Sequence, residues 1–322
     1  MLKWSKPRIV VSKCLGTTPC RYNGEASTFD LYIKLQPFIE FKEVCPESAI
    51  GLPTPREVIR LVKSNDNIRL IEYSTQREYT EDMVKFSERF INDLSGVDGF
   101  LLKSRSPSCG TRDVKIYNGT EKGASSSKGK GIFGGMIQNS FNYLPIEEEG
   151  RLKNFSIRDH FLSSIFTLAE FSEVKANKDL SSLVKYHSRH KLLFMSYNQT
   201  ELKKLGRIVA NHDHLNIDEL IDSYHIGLLK LLSRTPRYTS NINVLMHALG
   251  YFSDYLNSKE KEFMLSVIDK YRVGKMPLSV PINIVKSHAI RFNNQYLLEQ
   301  SFLEPYPEEL IDISDSGKGI SR

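Results

Sequence analysis

Residues 97–110, VDGFLLKSRSPSCG, decide how the first half of this chain is read. Phe100, Leu101 and Leu102 form a short apolar run, which suits a strand buried on both faces. The run stops at Lys103. Serines, a proline and a glycine follow, and these are turn formers. Near the tip stands Cys109. A cysteine that merely fills a core has apolar neighbours. This one has hydroxyls and free backbone N–H groups beside it, which suit a thiolate as nucleophile or metal ligand. The stretch predicts a buried strand ending in a loop that presents a thiol.

The same plan recurs toward the N-terminus. RIVVS (8–12) predicts a strand and is followed by Cys14; FIEFKEVCPE (38–47) predicts another that closes at Cys45. NIRLIEYS (67–74) is a further strand. Between these, TPREVIRLVKS (54–64) predicts a short helix, with Pro55 near its start and Val58, Ile59, Leu61 and Val62 apolar. TEDMVKFSERFINDL (80–94) predicts a helix with Thr80 as N-cap and Met83, Phe86, Phe90 and Leu94 on one face. KGIFGGMIQNSF (130–141) is a closing helix. Strands alternating with helices imply a Rossmann-like parallel α/β sheet over 1–150. In open sheets of this kind sites form just beyond the carboxyl ends of the strands. Cys14, Cys45 and Cys109 all follow strands, so they are expected to converge although far apart in sequence.

From 151 to 322 the pattern changes to long amphipathic segments, such as SSLVKYHSRHKLLFMSY (181–197) and IDELIDSYHIGLLKLLSR (217–234). Asn198 or Thr200 opens one, Gly274 and Pro277 close another, and Pro277 and Pro281 precede the helix in PLSVPINIVKSHAIRF. This half predicts an all-α domain, EEEGRLKN (147–154) the linker, and DISDSGKGISR (312–322) a disordered tail.

Composition bounds the function classes. The 322 residues are prior for two domains, 40% hydrophobic and 25% charged, with net charge +6. Mild basicity permits an anionic partner such as RNA. No apolar run approaches the roughly 18 residues of a membrane helix, and Ile9–Val11 is too short for a signal-peptide core. A cytoplasmic protein without a membrane partner is expected. The four cysteines, Cys14, Cys20, Cys45 and Cys109, lie in the first domain, which contains no histidine. Disulfides are not expected in that compartment. Three readings of the thiols stand open on the residues alone. Three thiolates with an open position suit a [4Fe–4S] cluster. Zinc wants a fourth ligand, which Cys20 could supply. Inert buried thiols are the third reading.

VSKCLGTTPCRYNG (11–24), VCPESAIGLPTPRE (44–57) and LKSRSPSCG (102–110) with IYNG (116–119) resemble the three motifs of the DUF523 family, the 2-thiouracil desulfurase-like proteins. KYHSRHKLLFMSYNQTELKKLGRIVAN (185–211), NVLMHALGYF (243–252), YRVGKMPLSVPINIVKSH (271–288) and YLLEQSFLEPYPEEL (296–310) resemble the DUF1722 (YbgA-like) domain. Together the halves resemble two-domain tRNA 4-thiouridine desulfidases. The resemblance implies a [4Fe–4S] cluster held by Cys14, Cys45 and Cys109 with one open iron, and non-redox removal of sulfur from thiolated uridine. Cys20 takes a position where the family also accepts a non-thiol and is not counted as a ligand. Glu47, two residues after Cys45, is the candidate general acid/base. Ser106 and Ser108 are candidates to hydrogen-bond cluster sulfurs or the base. Lys103, Arg21 and Arg56 are the candidate substrate or phosphate contacts, Lys103 also catalytic. The expected partner is tRNA carrying thiolated uridine, with no DNA. Free 2-thiouracil, thiolated nucleosides, or an iron–sulfur RNA-binding sensor without turnover are the alternatives. In the helical half KYHSRHK, KKLGR, RTPRY and Arg291 with Phe292 interleave basic and aromatic residues, as RNA contacts do. His187 with His190, and His212 with His214, are weak metal candidates because no carboxylate or cysteine accompanies them in sequence.

Overall fold

A computed structural model of the chain describes residues 4–16, 18–25, 29–64, 67–212, 214–312 and 314. The chain divides into two compact units, one over Lys6–Phe161 and one over Leu162–Ile311.

The first unit contains strands β1 (Arg8–Ser12), β2 (Glu40–Val44), β3 (Ile59–Ser64), β4 (Asn67–Glu72), β5 (Gly99–Leu102), β6 (Val114–Tyr117), β7 (Ser126–Gly129) and β8 (Ile146–Glu148). Its helices are α1 (Asp30–Leu35), α2 (Pro46–Ala49), α3 (Thr80–Asn92) and α4 (Ile132–Ser140). One sheet has the order β2-β1-β5-β8 and is parallel throughout. Its central strands are the apolar runs: Ile9, Val10 and Val11 and Phe100, Leu101 and Leu102 are fully buried. Two-sided burial is why those strands read as continuous rather than alternating. Phe133 and Ile137 of α4 and Met83 of α3 join Val10, Phe100 and Leu102 in one core.

The second sheet, β4-β3-β6-β7, is mixed, with β3 and β6 parallel and both outer pairs antiparallel. It overturns one expectation. Residues 59–64 form β3 and not a helix. A helix needs Val58 on the same apolar stripe as Ile59, Leu61 and Val62, but Val58 is 41% exposed. Ile59 and Leu61 instead enter the core at a spacing of two, with Leu61 paired to Leu70. The β-branched residues favour that geometry. Thr80 begins α3, but Tyr79 is its cap and the Thr80 hydroxyl accepts from Leu70 N at 2.8 Å. The expected linker at 147–154 is also folded: it holds the end of β8 and a 3-10 turn (Arg151–Lys153), and Glu148 and Glu149 are buried.

The remaining elements are helices: α5 (Phe155–Asn177), α6 (Leu180–Tyr197), α7 (Gln199–Ala210), α8 (Ile217–Leu232), α9 (Tyr238–Gly250), α10 (Ser258–Arg272), α11 (Ser279–Arg291) and α12 (Gln295–Leu298). The Asn198 side chain caps α7 by accepting from the N–H groups of Thr200 and Glu201. Gly274, at φ +72°, follows α10 in the left-handed conformation that ends helices. Pro281 lies inside the first turn of α11 rather than before it, where the missing N–H has no intrahelical acceptor. Of the expected tail, 312–322, only Asp312 and Ser314 fall among the described residues. Among the described residues no helix is long and apolar enough to cross a membrane.

Candidate functional site

Parallel register carries the thiols together. Ser12 at the end of β1 pairs with Val44 at the end of β2, and Val11 pairs with Leu101 of β5. The three strands therefore finish level, and the chain turns into Cys14, Cys45 and the Cys109 loop at one edge. All three cysteines line a cavity of about 860 Å³, together with Glu47, Ser106, Ser108, Lys103, Arg21 and Arg56. Every residue singled out as a candidate for the reaction thus faces one space. Its size falls in the usual range for small-molecule sites.

Cys20 also lines this cavity, within hydrogen-bonding reach of both Cys14 and Cys45. Spacing did not announce this, since Cys14 and Cys20 do not form a CxxC pair. The Cys14 contact, chiefly, pushes the Cys20 thiol up to about 11. Cys45 is raised as well, first by its contact with Cys20 and then by burial, while Ser48 Oγ donates to its sulfur at 3.2 Å. Burial pushes Cys109 up to about 12, against the opposing hydrogen bonds of Ser12 and Ser108. All four cysteines are free thiols.

Glu47 is held on both oxygens. Oε2 accepts from Arg56 Nε at 2.9 Å and Nη2 at 2.5 Å; Oε1 accepts from Ser108 Oγ at 2.5 Å and Ser106 Oγ at 3.5 Å. Ser106 Oγ also accepts from Cys109 N at 3.0 Å, so the Cys109 loop is tied to the Glu47 carboxylate through its serines. Arg56 has work of its own inside the protein. Besides Glu47 it donates to the carbonyls of Cys20 and Pro53 and to Thr54 Oγ1, and its side chain is 3% exposed. It orients Glu47 and anchors the Cys20 segment; no nitrogen is left over for a substrate phosphate. Lys103 pairs with Glu149. Arg21 lies 4.0 Å from Glu25 and 5.9 Å from the centre of the Tyr22 ring, with part of its side chain open to solvent.

Two further residues escaped sequence reasoning. Glu149 accepts from Ser104 N at 2.7 Å, Ser104 Oγ at 2.7 Å and Lys103; Glu148 accepts from Thr111 N at 2.6 Å, Thr111 Oγ1 at 2.9 Å and Arg112 N at 3.2 Å. These neighbouring carboxylates at the end of β8 clamp the Cys109 loop before and after the thiol. The only signal was a run of three glutamates, and such a run is ordinarily a solvated linker. Gly131 and Gly134 let α4 close on the same loop: a Cβ on Gly134 would fall 2.3 Å from the Cys109 carbonyl oxygen.

Among the described residues no group of three or more His, Cys, Asp or Glu is arranged to hold a single metal ion. A polynuclear cluster spreads its ligands wider than one ion does. The donor set fits such a group: thiols only, on three separate segments, with hydroxyls toward the sulfurs. Cys14, Cys45 and Cys109 would hold it, with Cys20 beside them.

The His187 and His190 pair of the second unit leads elsewhere. His187 Nδ1 lies 3.0 Å from the Tyr224 hydroxyl. His190 is buried, with Nδ1 2.7 Å from Ser301 Oγ and Nε2 3.1 Å from Glu170 Oε2, the latter without the alignment of a full hydrogen bond. A carboxylate does accompany His190, but in a closed packing network.

Comparison with known proteins agrees with this division. Residues 9–149 match the family model described as 2-thiouracil desulfurase, and residues 191–307 match the one described as a protein of unknown function, DUF1722. The chain thus joins an α/β unit that matches the 2-thiouracil desulfurase model to a helical unit that matches the DUF1722 model. Over 161 residues it is 34% identical to the uncharacterized protein YbgA of Escherichia coli K12, covering 49% of this chain and 95% of YbgA. The chain belongs to the DUF1722 family, with YbgA. It is also 29% identical over 140 residues to the uncharacterized protein YbbK of Bacillus subtilis 168, covering 41% of this chain and 90% of that one. A solved structure, the [4Fe-4S]-dependent thiouracil desulfidase TudS, is 26% identical and covers 46% of this chain and 93% of its own, with a TM-score of 0.37.

Proposed function

We propose that this chain is a desulfidase that replaces the sulfur of a thiolated uracil ring with oxygen, and that its substrate is 4-thiouridine within tRNA. The observation that carries the reading is the convergence of three strand-end thiols with the Glu47–Ser108 pair in one cavity. The family model over residues 9–149 supports the reaction class. When bound by Cys14, Cys45 and Cys109, a [4Fe–4S] cluster supplies a Lewis-acidic iron with an open position suited to a soft thiocarbonyl sulfur. The remaining work falls to the chain. Water adds to the thiocarbonyl carbon, and the carbon–sulfur bond breaks to leave uridine and hydrogen sulfide, with no net oxidation. Glu47 takes one proton of that water at Oε1 and passes it to the departing sulfur, then relays the second proton from the new hydroxyl to sulfur as the carbonyl forms. Arg56 holds Oε2, so that Oε1 alone faces the cavity with Ser108. Ser106 and Ser108 keep the Cys109 loop in register with that carboxylate.

The test is to purify the protein without oxygen, incubate it with tRNA containing 4-thiouridine, and follow the loss of the thiouridine absorbance beside Cys109→Ser. Loss with the wild type alone is expected. Absence of loss with iron and sulfide fully bound would overturn the tRNA reading. Free 2-thiouracil is the second reading, favoured by the family model's own description, and is assayed in parallel.

A further inference from the structure

The outer face of the second sheet carries a row of cations that its own structure leaves largely unanswered. Lys115 of β6 and Lys128 of β7 are direct cross-strand partners. Leu61 of β3 pairs with Ile116 of β6 in parallel. Arg60 and Lys115, each one residue earlier, therefore stand on the face opposite those core residues. Like charges opposed on neighbouring strands destabilise a sheet. Asp113 relieves one of them, 2.9 Å from Lys128 Nζ, yet the Lys128 side chain remains 78% exposed. Among the described residues no carboxylate pairs with Arg60 or Lys115. The Arg60 guanidinium is braced between two rings, 3.9 Å from the centre of Tyr73 and 4.9 Å from that of Tyr117.

This row opens onto the cysteine cavity, because Arg60, Lys115, Tyr117 and Lys128 line it with the thiols. Eight of the chain's 44 Lys and Arg and two of its 38 Asp and Glu line that cavity, so its wall accounts for the whole net charge of +6. A free pyrimidine base carries no phosphate to use such a row. A nucleic acid strand does, and unpaired RNA is recognised by cations along its backbone with aromatic rings beside them.

We propose that the outer face of β3, β6 and β7 is a phosphate track for single-stranded RNA, with Arg60, Lys115 and Lys128 taking the phosphates that flank a uridine entering the cavity. The inference rests on the thiolated-RNA reading for what enters, and deepens it by placing the backbone contact on the α/β unit.

The test is binding of a short fluorescein-labelled oligouridylate to the full, cluster-free chain, read by anisotropy across a salt series. Lys115→Glu with Lys128→Glu is expected to weaken binding about tenfold and to lower the slope of log affinity against log salt by about 1 to 2. A charge-matched control, Lys42→Glu with Lys85→Glu, changes exposed lysines of the same unit outside the cavity and should bind as the wild type does. Lys115→Ala, a milder change at an exposed side chain, should weaken binding in the same direction, which guards against misfolding of the double variant. Binding by the site variant within about twofold of the control, at an unchanged salt slope, would overturn the proposal. The readout needs no turnover. A chain that binds but releases no sulfide defeats the proposed function alone; one that releases sulfide while the site variant binds normally defeats the track alone.

Discussion

Both units bury ionisable groups, and they do so to different ends. In the α/β unit the buried groups meet at an open cavity: Cys109 and Cys20 beside Glu47, with hydroxyls and an arginine arranged around them. In the helical unit His190 lies against Ser301 and Glu170 in packed surroundings, with Arg189 on Glu170 and Gln300 bonded to the backbone nearby. Gln300 accepts from Leu192 N at 3.1 Å and donates to Ser188 O at 2.9 Å. Burial pushes the Glu170 carboxyl up, but His190 and Arg189 outweigh it and hold the group below its ordinary value. A perturbed group therefore marks a site only where empty space and convergent donors accompany it.

The comparison breaks most sharply at the thiols. Cys109→Ser is expected to abolish iron binding and sulfide release with folding intact, as measured by iron content and circular dichroism. Gly134→Ala should approach the same result from a distance. Its new methyl meets backbone oxygens of Cys109 and Gly110, which cannot move aside as a flexible side chain would. Normal iron content in that variant would show that the loop does not depend on the close approach of α4. Glu47→Gln comes next: iron retained and turnover reduced about 10²–10⁴-fold, the span of lost acid–base catalysis. Full turnover would remove Glu47 from the proton path.

The helical unit should respond to acid rather than to iron. Burial holds His187 and His225 at about 4, against 6.5 for the unshifted group. Between those values the unfolded chain takes up protons that the folded chain refuses. Stability is then complete above about pH 6.5 and falls as the pH drops toward 4, by roughly 1–3 kcal/mol. Thermal melts of the full chain across that range should show the helical transition moving to lower temperature. A flat profile would mean that these rings are not shielded. The smallest effect is expected at Cys20→Ser, with iron retained and activity altered less than tenfold; loss of iron would make Cys20 a ligand.

How much of this was legible depended on how local the signal was. The central strands β1 and β5 are apolar on both faces and could be read from Ile9–Val11 and Phe100–Leu102. The amphipathic helices and the Asn198 cap were likewise visible, and so were the strand-end positions of Cys14, Cys45 and Cys109. β3 was misread because Val58, Ile59, Leu61 and Val62 satisfy a helical stripe as well as a strand. Only the pairing of Leu61 with Leu70 and Ile116 separates the two.

The sequence by itself determined the class of each half and which thiols reach the sheet edge, because hydrophobic period and strand ends are properties of neighbouring residues. Tertiary structure alone decided the rest. It turned Glu148 and Glu149 from a supposed linker into the clamp on the Cys109 loop. It committed Arg56 to Glu47, brought Cys20 beside Cys14 and Cys45, and aligned Arg60, Lys115 and Lys128 across three strands. Each of these joins separate segments of the chain, 9 positions apart for Arg56 and Glu47 and 46 for Lys103 and Glu149, through hydrogen bonds and charge contacts that exist only once the sheets have formed.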